Sequence, residues 1–206
     1  MGNEDWYRNI EWNDEIEEAF YLKLKRARRK EQYLRIQASI LSTKYPDVSI
    51  ALLDKYFELK DDFDHAQAYC DMASAFISKN MVEDALNSYE KALNREHEFP
   101  NLKTEAYILL PLTIVKNKLE HFYSKAETVL NANQSRLMFP IDFFRWHAAL
   151  AIINSNNGND ESASKHAQIA LDLAQIKKSG FTFHQNLGLV GKEFKGIVKE
   201  LRKIYA

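Results

Sequence analysis

One short pattern recurs along this chain and restricts its fold more than any other feature. Residues 85–93, ALNSYEKAL, and residues 163–171, ASKHAQIAL, both read Ala-x3-(Tyr or Ala)-x2-Ala-Leu. Residues 122–130, FYSKAETVL, keep the spacing with Phe122, Ala126, Val129 and Leu130. Residues 49–57, SIALLDKYF, keep it with Ser49, Leu53, Tyr56 and Phe57. Offsets of four, seven and eight fall on one stripe of an α-helix, and small side chains in such a stripe let a second helix approach closely.

A second amphipathic stretch and a short break precede each copy. Before Ala85, the residues Tyr69, Met72, Ala73 and Phe76 share one helical face, and the break falls at Asn80. Asparagine tolerates the left-handed conformation that ends many helices. Gly158 stands at the equivalent place before Ala163, and Asn117 before Phe122. The predicted unit is therefore helix, tight turn, helix, starting near residues 30, 66, 103 and 144. With only 6 glycines and 4 prolines in 206 residues, the chain lacks the turn formers a β domain needs.

A helix pair of this length resembles the tetratricopeptide repeat (TPR). Residues 66–99 carry the resemblance through Tyr69, Met72, Ala73, Phe76, Ala85, Tyr89 and Ala92. The unit from 144 carries it through Leu150, Ala151, Gly158, Ala163, Ala167, Ala170 and Leu171, with Asn154 at a place where the family has an aromatic. The resemblance implies an all-α fold, a right-handed superhelical array of antiparallel helix pairs. About four pairs would fill residues 30–175 of a single domain spanning 1–206. An aromatic N-terminal segment and basic leading helix (1–29) would precede them, and a C-terminal capping helix (187–206) would follow.

In such arrays the first helix of each pair lines a concave groove. By the family's pattern the lining positions are Gln67, Cys70 and Ser74, then Thr104 and Tyr107, then Arg145 and Ala148. Tyr107 is the expected anchor for a ligand and Arg145 its expected partner for an acidic group. Relatives that grip the terminal carboxylates of chaperones place Lys, Asn and Arg in the key row. Leu34, Cys70, Tyr107 and Ala148 stand there in this chain, so the groove suits a peptide or helix of a partner protein better than a polyanion. The implied role is a cytoplasmic protein–protein interaction module.

The run KLKRARRK, residues 23–30, sets Lys23, Lys25, Arg26, Arg28, Arg29 and Lys30 close together in a chain of net charge −1. At 100° per residue the six cations spread around a helix, and Ile16, Phe20, Leu24 and Ala27 form its narrow apolar sector. That is the pattern of a solvated helix packed on the first pair, with acids Asp14 and Glu17 at its start to suit the dipole. The alternative is a nucleic-acid-associated adaptor that uses this patch, although no aromatic interleaves the cations to stack a base. Upstream, Trp6, Tyr7 and Trp12 are expected to staple the chain end to the core.

The markers of chemistry are missing. The six histidines form no H-E-x-x-H pair, and one cysteine, Cys70, can build neither a thiolate zinc site nor an intrachain disulfide. His147 and His166 are placed to meet across the two helices of one pair. No phosphate loop or nucleophile elbow is present, so no metal, no cofactor and no enzymatic activity are expected; an enzyme with an unrecognised site is the last alternative. The longest apolar stretch, YILLPLTIV at 107–115, is too short to span a bilayer. At the other end of the chain, Leu187, Val190, Phe194, Ile197, Leu201 and Ile204 form a seam backed by Lys192, Lys195, Lys199, Arg202 and Lys203. The expected role is a cap, and the rival is a homodimer through this C-terminal helix.

Overall fold

The computed structural model describes residues 5–59 and 64–206. Ten α-helices and no strand occur among them. The chain divides into two compact units, Met1–Ala106 and Tyr107–Ala206, so the boundary falls where the third predicted pair begins. No described helix is long and apolar enough to cross a membrane.

The first unit contains α1 (Asp14–Arg26), α2 (Lys30–Leu41), α3 (Pro46–Phe57), α4 (His65–Ser78) and α5 (Val82–Glu98). Helices α2 and α3 pack as one pair and α4 and α5 as the next, while α4 also lies against α3 and α2. The stripe residues are the contact points: Ser49, Leu53, Ala85 and Ala92 are fully buried, and Tyr56 and Tyr89 nearly so. Ser49 reconciles its hydroxyl with burial by donating to the carbonyl of Ala38 at 2.8 Å.

Asn13 starts α1 by accepting from the Ile16 N–H at 2.9 Å. The helix stops at Arg26, with Ala27 extended at φ −74° and ψ 145°, although neither glycine nor proline marks the spot. The stop follows from tertiary packing. Phe20 and Leu24 are buried in the same core as Leu34, Ala38 and Leu41 of α2, and one straight helix could not bring the two apolar faces together. The N-terminal aromatics cover this core. Trp6 packs 5.4 Å from Phe20 and 4.9 Å from Tyr33, Tyr7 lies 4.6 Å from Tyr33, and Trp12 5.5 Å from Phe20. Gln37, fully buried, clamps the segment: its Oε1 accepts from the Asn9 backbone N–H (2.9 Å) and side-chain amide (2.8 Å), and its Nε2 donates to the Asn9 carbonyl (2.8 Å).

The second unit contains α6 (Ala106–Lys116, whose first residue belongs to the first unit), α7 (Tyr123–Ala132), α8 (Pro140–Asn156), α9 (Asp160–Leu173) and α10 (Lys195–Tyr205). Helix α6 continues through Pro111 as one element. Helix α8 begins four residues before the expected start at 144, because Pro140 takes the first-turn position that needs no N–H. Asp142 accepts from the backbone N–H groups of Phe139 (3.0 Å) and Met138 (3.2 Å). Helices α8 and α9 pack as a pair, with Ala148, Ala151, Ala167 and Ala170 fully buried. Helix α10 starts at Lys195 rather than at 187, so Leu187 and Val190 precede it. Of the remaining seam, Phe194 just before the helix and Ile197 and Leu201 within it are buried, Ile204 is half-buried, and α10 packs on α9 and α8.

Three of the helix–helix connections turn by the same device. Asn80 (φ 60°), Lys118 (φ 53°) and Gly158 (φ 75°) are left-handed, each at the break between two successive helices. Met81 N–H reaches the Phe76 carbonyl and Asn80 N–H that of Ile77, both at 2.9 Å. Leu119 to Ile114 with Lys118 to Val115, and Asn159 to Asn154 with Gly158 to Ser155, repeat that two-bond pattern. Between α6 and α7 the left-handed residue is Lys118, one place after the expected Asn117. The amide of Asn117 instead closes back on the Thr113 carbonyl at 2.8 Å.

Candidate functional site

In the first unit the facing sides of α2 and α4 carry a polar seam over an apolar core. Arg35 is its hub. Its Nε lies 3.1 Å from Asp64 Oδ2 and its Nη1 3.2 Å from Asp71 Oδ2. Asp71 also accepts from Ser39 Oγ at 3.0 Å and from Gln67 Nε2 at 3.2 Å. One turn further on, the hydroxyls of Ser42 and Ser74 lie 3.3 Å apart. Asp71 is 6 % exposed, and burial pushes its carboxyl above the usual carboxylate range against the opposing pull of Arg35 and the donors around it.

Of the expected groove residues, Gln67 and Ser74 therefore belong to a half-exposed polar seam. Cys70 does not. It is 6 % exposed, and burial pushes its thiol up to about 12, so it is an inert core residue at neutral pH. Thr104 is buried as well. Its N–H and hydroxyl both donate to Glu96 Oε1, at 2.7 and 2.6 Å, and its Oγ1 accepts from Ala106 N–H at 3.2 Å. That arrangement closes the turn after α5 and offers nothing to a ligand.

In the second unit Tyr107 is 6 % exposed, with the Arg136 guanidinium 4.0 Å from its ring centre. Its ring is thus covered by the protein's own cation, and the expected anchor is a packing residue. Arg145 is half-buried, its guanidinium 5.5 Å from the Phe194 ring beside α10. Ala148 is fully buried, and Leu34 nearly so. The key row was apolar, and apolar side chains on a packed helix face go inward.

The basic residues behave otherwise. Lys23, Lys25, Arg26, Arg28, Arg29 and Lys30 are all exposed, and none forms an ion pair among the described residues. They span the last turn of α1, the extended link and the first residue of α2.

His147 of α8 and His166 of α9 meet with their Nδ1 atoms 2.8 Å apart. Trp146 edges both rings, at 4.9 and 5.7 Å, while its own indole N–H donates to the Leu130 carbonyl at 3.1 Å. Burial and the neighbouring His166 push His147 down to about 4, and burial with nearby Lys165 lowers His166. Both rings are neutral at pH 7, one donating and one accepting. No group of three or more His, Cys, Asp or Glu side chains poised for a metal occurs among the described residues.

Sequence reasoning missed Arg35, Ser39 and Asp71. The available signal was the i, i+4 spacing of Arg35 with Ser39 and of Gln67 with Asp71, together with a lone carboxylate in the apolar run AYCDMASAF. Compared with known protein families, curated proteins and solved structures, the chain matches none of them.

Proposed function

We propose that this chain is a TPR-like protein–protein interaction module that binds a peptide or helix of a partner protein on the first-helix side of its pairs, in the cytoplasm. The observation that carries the reading is the α2–α4 seam. Gln67, Ser74 and Arg35 present half-exposed donors and acceptors along two adjacent first helices, Gln67 and Arg35 held in place by the buried Asp71 and Ser74 by Ser42. Such preorganised polar groups recognise peptide backbone or side-chain amides at low entropic cost. The shared turn at Asn80, Lys118 and Gly158 supports the repeat character.

The test begins with affinity capture and mass spectrometry to obtain a partner. Gln67→Ala and Ser74→Leu should then each weaken its binding by about 1–2 kcal/mol without unfolding the protein. Unchanged affinity in both variants rejects this face.

A second reading rests on the six exposed cations from Lys23 to Lys30, which suit a nucleic-acid-associated adaptor. Its mark is affinity for a nucleic-acid duplex that falls steeply with salt and is abolished by reversing Lys25, Arg28 and Arg29.

A further inference from the structure

Helix α10 packs on α9 and α8 in the way that α4 packs on α3 and α2. It therefore contacts both helices of the pair that precedes it. Beside it runs a cleft of about 620 Å³, lined by the end of α9, by Val190 and Gly191, and by α10. Leu171, Ala174, Val190 and Val198, all half-buried, form its floor. Lys195, Lys199 and Arg202 line one edge at steps of four and three, so they form one ridge along about two turns of the helix. All three are exposed and none forms an ion pair among the described residues. In sequence, the lining residues are neighboured by Lys177, Lys178, Lys192 and Lys203 and by Asp172, Glu193 and Glu200, so the cationic charge still predominates.

We propose that this cleft is a second docking surface, which accepts an acidic amphipathic helix of a partner protein. The chemistry on each side specifies the occupant. A floor of small and branched apolar residues takes an apolar ridge at i, i+3, i+4 and i+7. The cationic edge takes acidic residues flanking that ridge, and a helix of about three turns, roughly 16 Å, matches the length of α10. Its floor residues are half-buried rather than exposed, which suits the narrow ridge of a helix better than a flat lipid surface. No aromatic ring lines the cleft for a base to stack on. The cleft belongs to the second unit and the α2–α4 seam to the first, so either can fail while the other stands.

The probe is a synthetic helical peptide with a leucine ridge flanked by glutamates, titrated into the full chain and followed by amide chemical shifts. Its counterpart with lysine flanks is the control. The glutamate peptide should bind saturably, with shifts centred on Ala174, Val190 and Val198, and the lysine peptide should not. Lys195→Glu with Lys199→Glu should weaken binding at least about tenfold, because the attraction becomes repulsion. Val198→Glu should do the same through the floor. Lys23→Glu with Lys25→Glu, on the other basic patch, and Gln67→Ala should leave it unchanged. Circular dichroism on each variant verifies that it is folded. Equal binding of both peptides, shifts centred elsewhere, or no binding up to about 1 mM overturns the proposal. So does a preference, removed by the same Lys195 and Lys199 reversals, for phosphatidylserine vesicles or a single-stranded oligonucleotide over the glutamate peptide.

Discussion

His147 and His166 share a hydrogen bond between their Nδ1 atoms, 2.8 Å apart, across the α8–α9 crossing. Only one proton fits between them, so the bond requires at least one ring to be neutral. An imidazole in the unfolded chain takes up its proton near pH 6.5. In the folded protein His147 does so only near 4, because burial and His166 oppose the charge, and His166 is shifted down too. Between those limits the unfolded chain binds more protons than the folded one, so stability must rise with pH there. The pair's contribution is complete above about pH 6.5 and is lost as the pH falls toward about 4. Thermal melts at pH 5, 6 and 7 should show the wild-type midpoint climbing more steeply than that of His147→Gln, which keeps a polar partner but does not titrate. Parallel profiles would mean that the pair is not held neutral.

The three left-handed turns give a graded test of one backbone conformation. Gly158 adopts φ 75° without cost, and a Cβ built there meets nothing within 4 Å. Gly158→Ala should therefore destabilise by about 1 kcal/mol through the backbone alone. Lys118, at φ 53°, carries that cost already. Lys118→Gly should then be neutral to stabilising, by up to about 1 kcal/mol once the added freedom of the unfolded chain is offset. Denaturant titration of both variants measures the pair of opposite signs.

Ala92 and Tyr89 lie on the buried stripe of α5. Ala92 is fully buried, which places its methyl at the helix crossing. Ala92→Phe must displace neighbouring side chains or the helix itself, and should destabilise by about 1–3 kcal/mol. An unchanged denaturation midpoint would show slack at that crossing.

The helix pairs were readable because two signals coincide in the sequence: a small-residue stripe and a break tolerant of left-handed backbone. Where either is missing, reading fails for a physical reason. Lys118 has no special preference for φ 53°, so the turn was expected at its neighbour Asn117. The stop at Arg26 is enforced by the shared core of Phe20, Leu24 and Leu34 and has no local marker. Helical periodicity identifies a face but not what covers it. That is why Tyr107 looked available although Arg136 lies over its ring. The Arg35–Asp71 contact needed the packing of α2 on α4, and that is a tertiary fact.

That contact supplies the most discriminating prediction. Arg35 bridges Asp64 and Asp71, with its own side chain 19 % exposed and that of Asp71 8 %. Removing the cation leaves a buried carboxylate with only Ser39 and Gln67 as donors. Arg35→Ala should therefore destabilise the protein by about 2–4 kcal/mol at pH 7, the range for an orphaned buried charge. Removing the anion has a different consequence. Burial outweighs Arg35 and the other donors in setting the Asp71 proton affinity, so the site as a whole disfavours the charge relative to water. Asp71→Asn keeps the shape and an acceptor for Ser39 or Gln67, and should cost less than about 1 kcal/mol. The sign with pH follows from the same shift. A carboxyl whose folded pKa is raised binds its proton first in the native state, so Arg35→Ala should recover part of its loss as the pH falls from 7 through the region above the ordinary aspartate range. Urea unfolding of both variants at pH 7 and 5 decides the matter: equal losses, or a loss in Arg35→Ala that does not shrink at pH 5, would mean that Asp71 is held as a carboxylate by more than the hub describes.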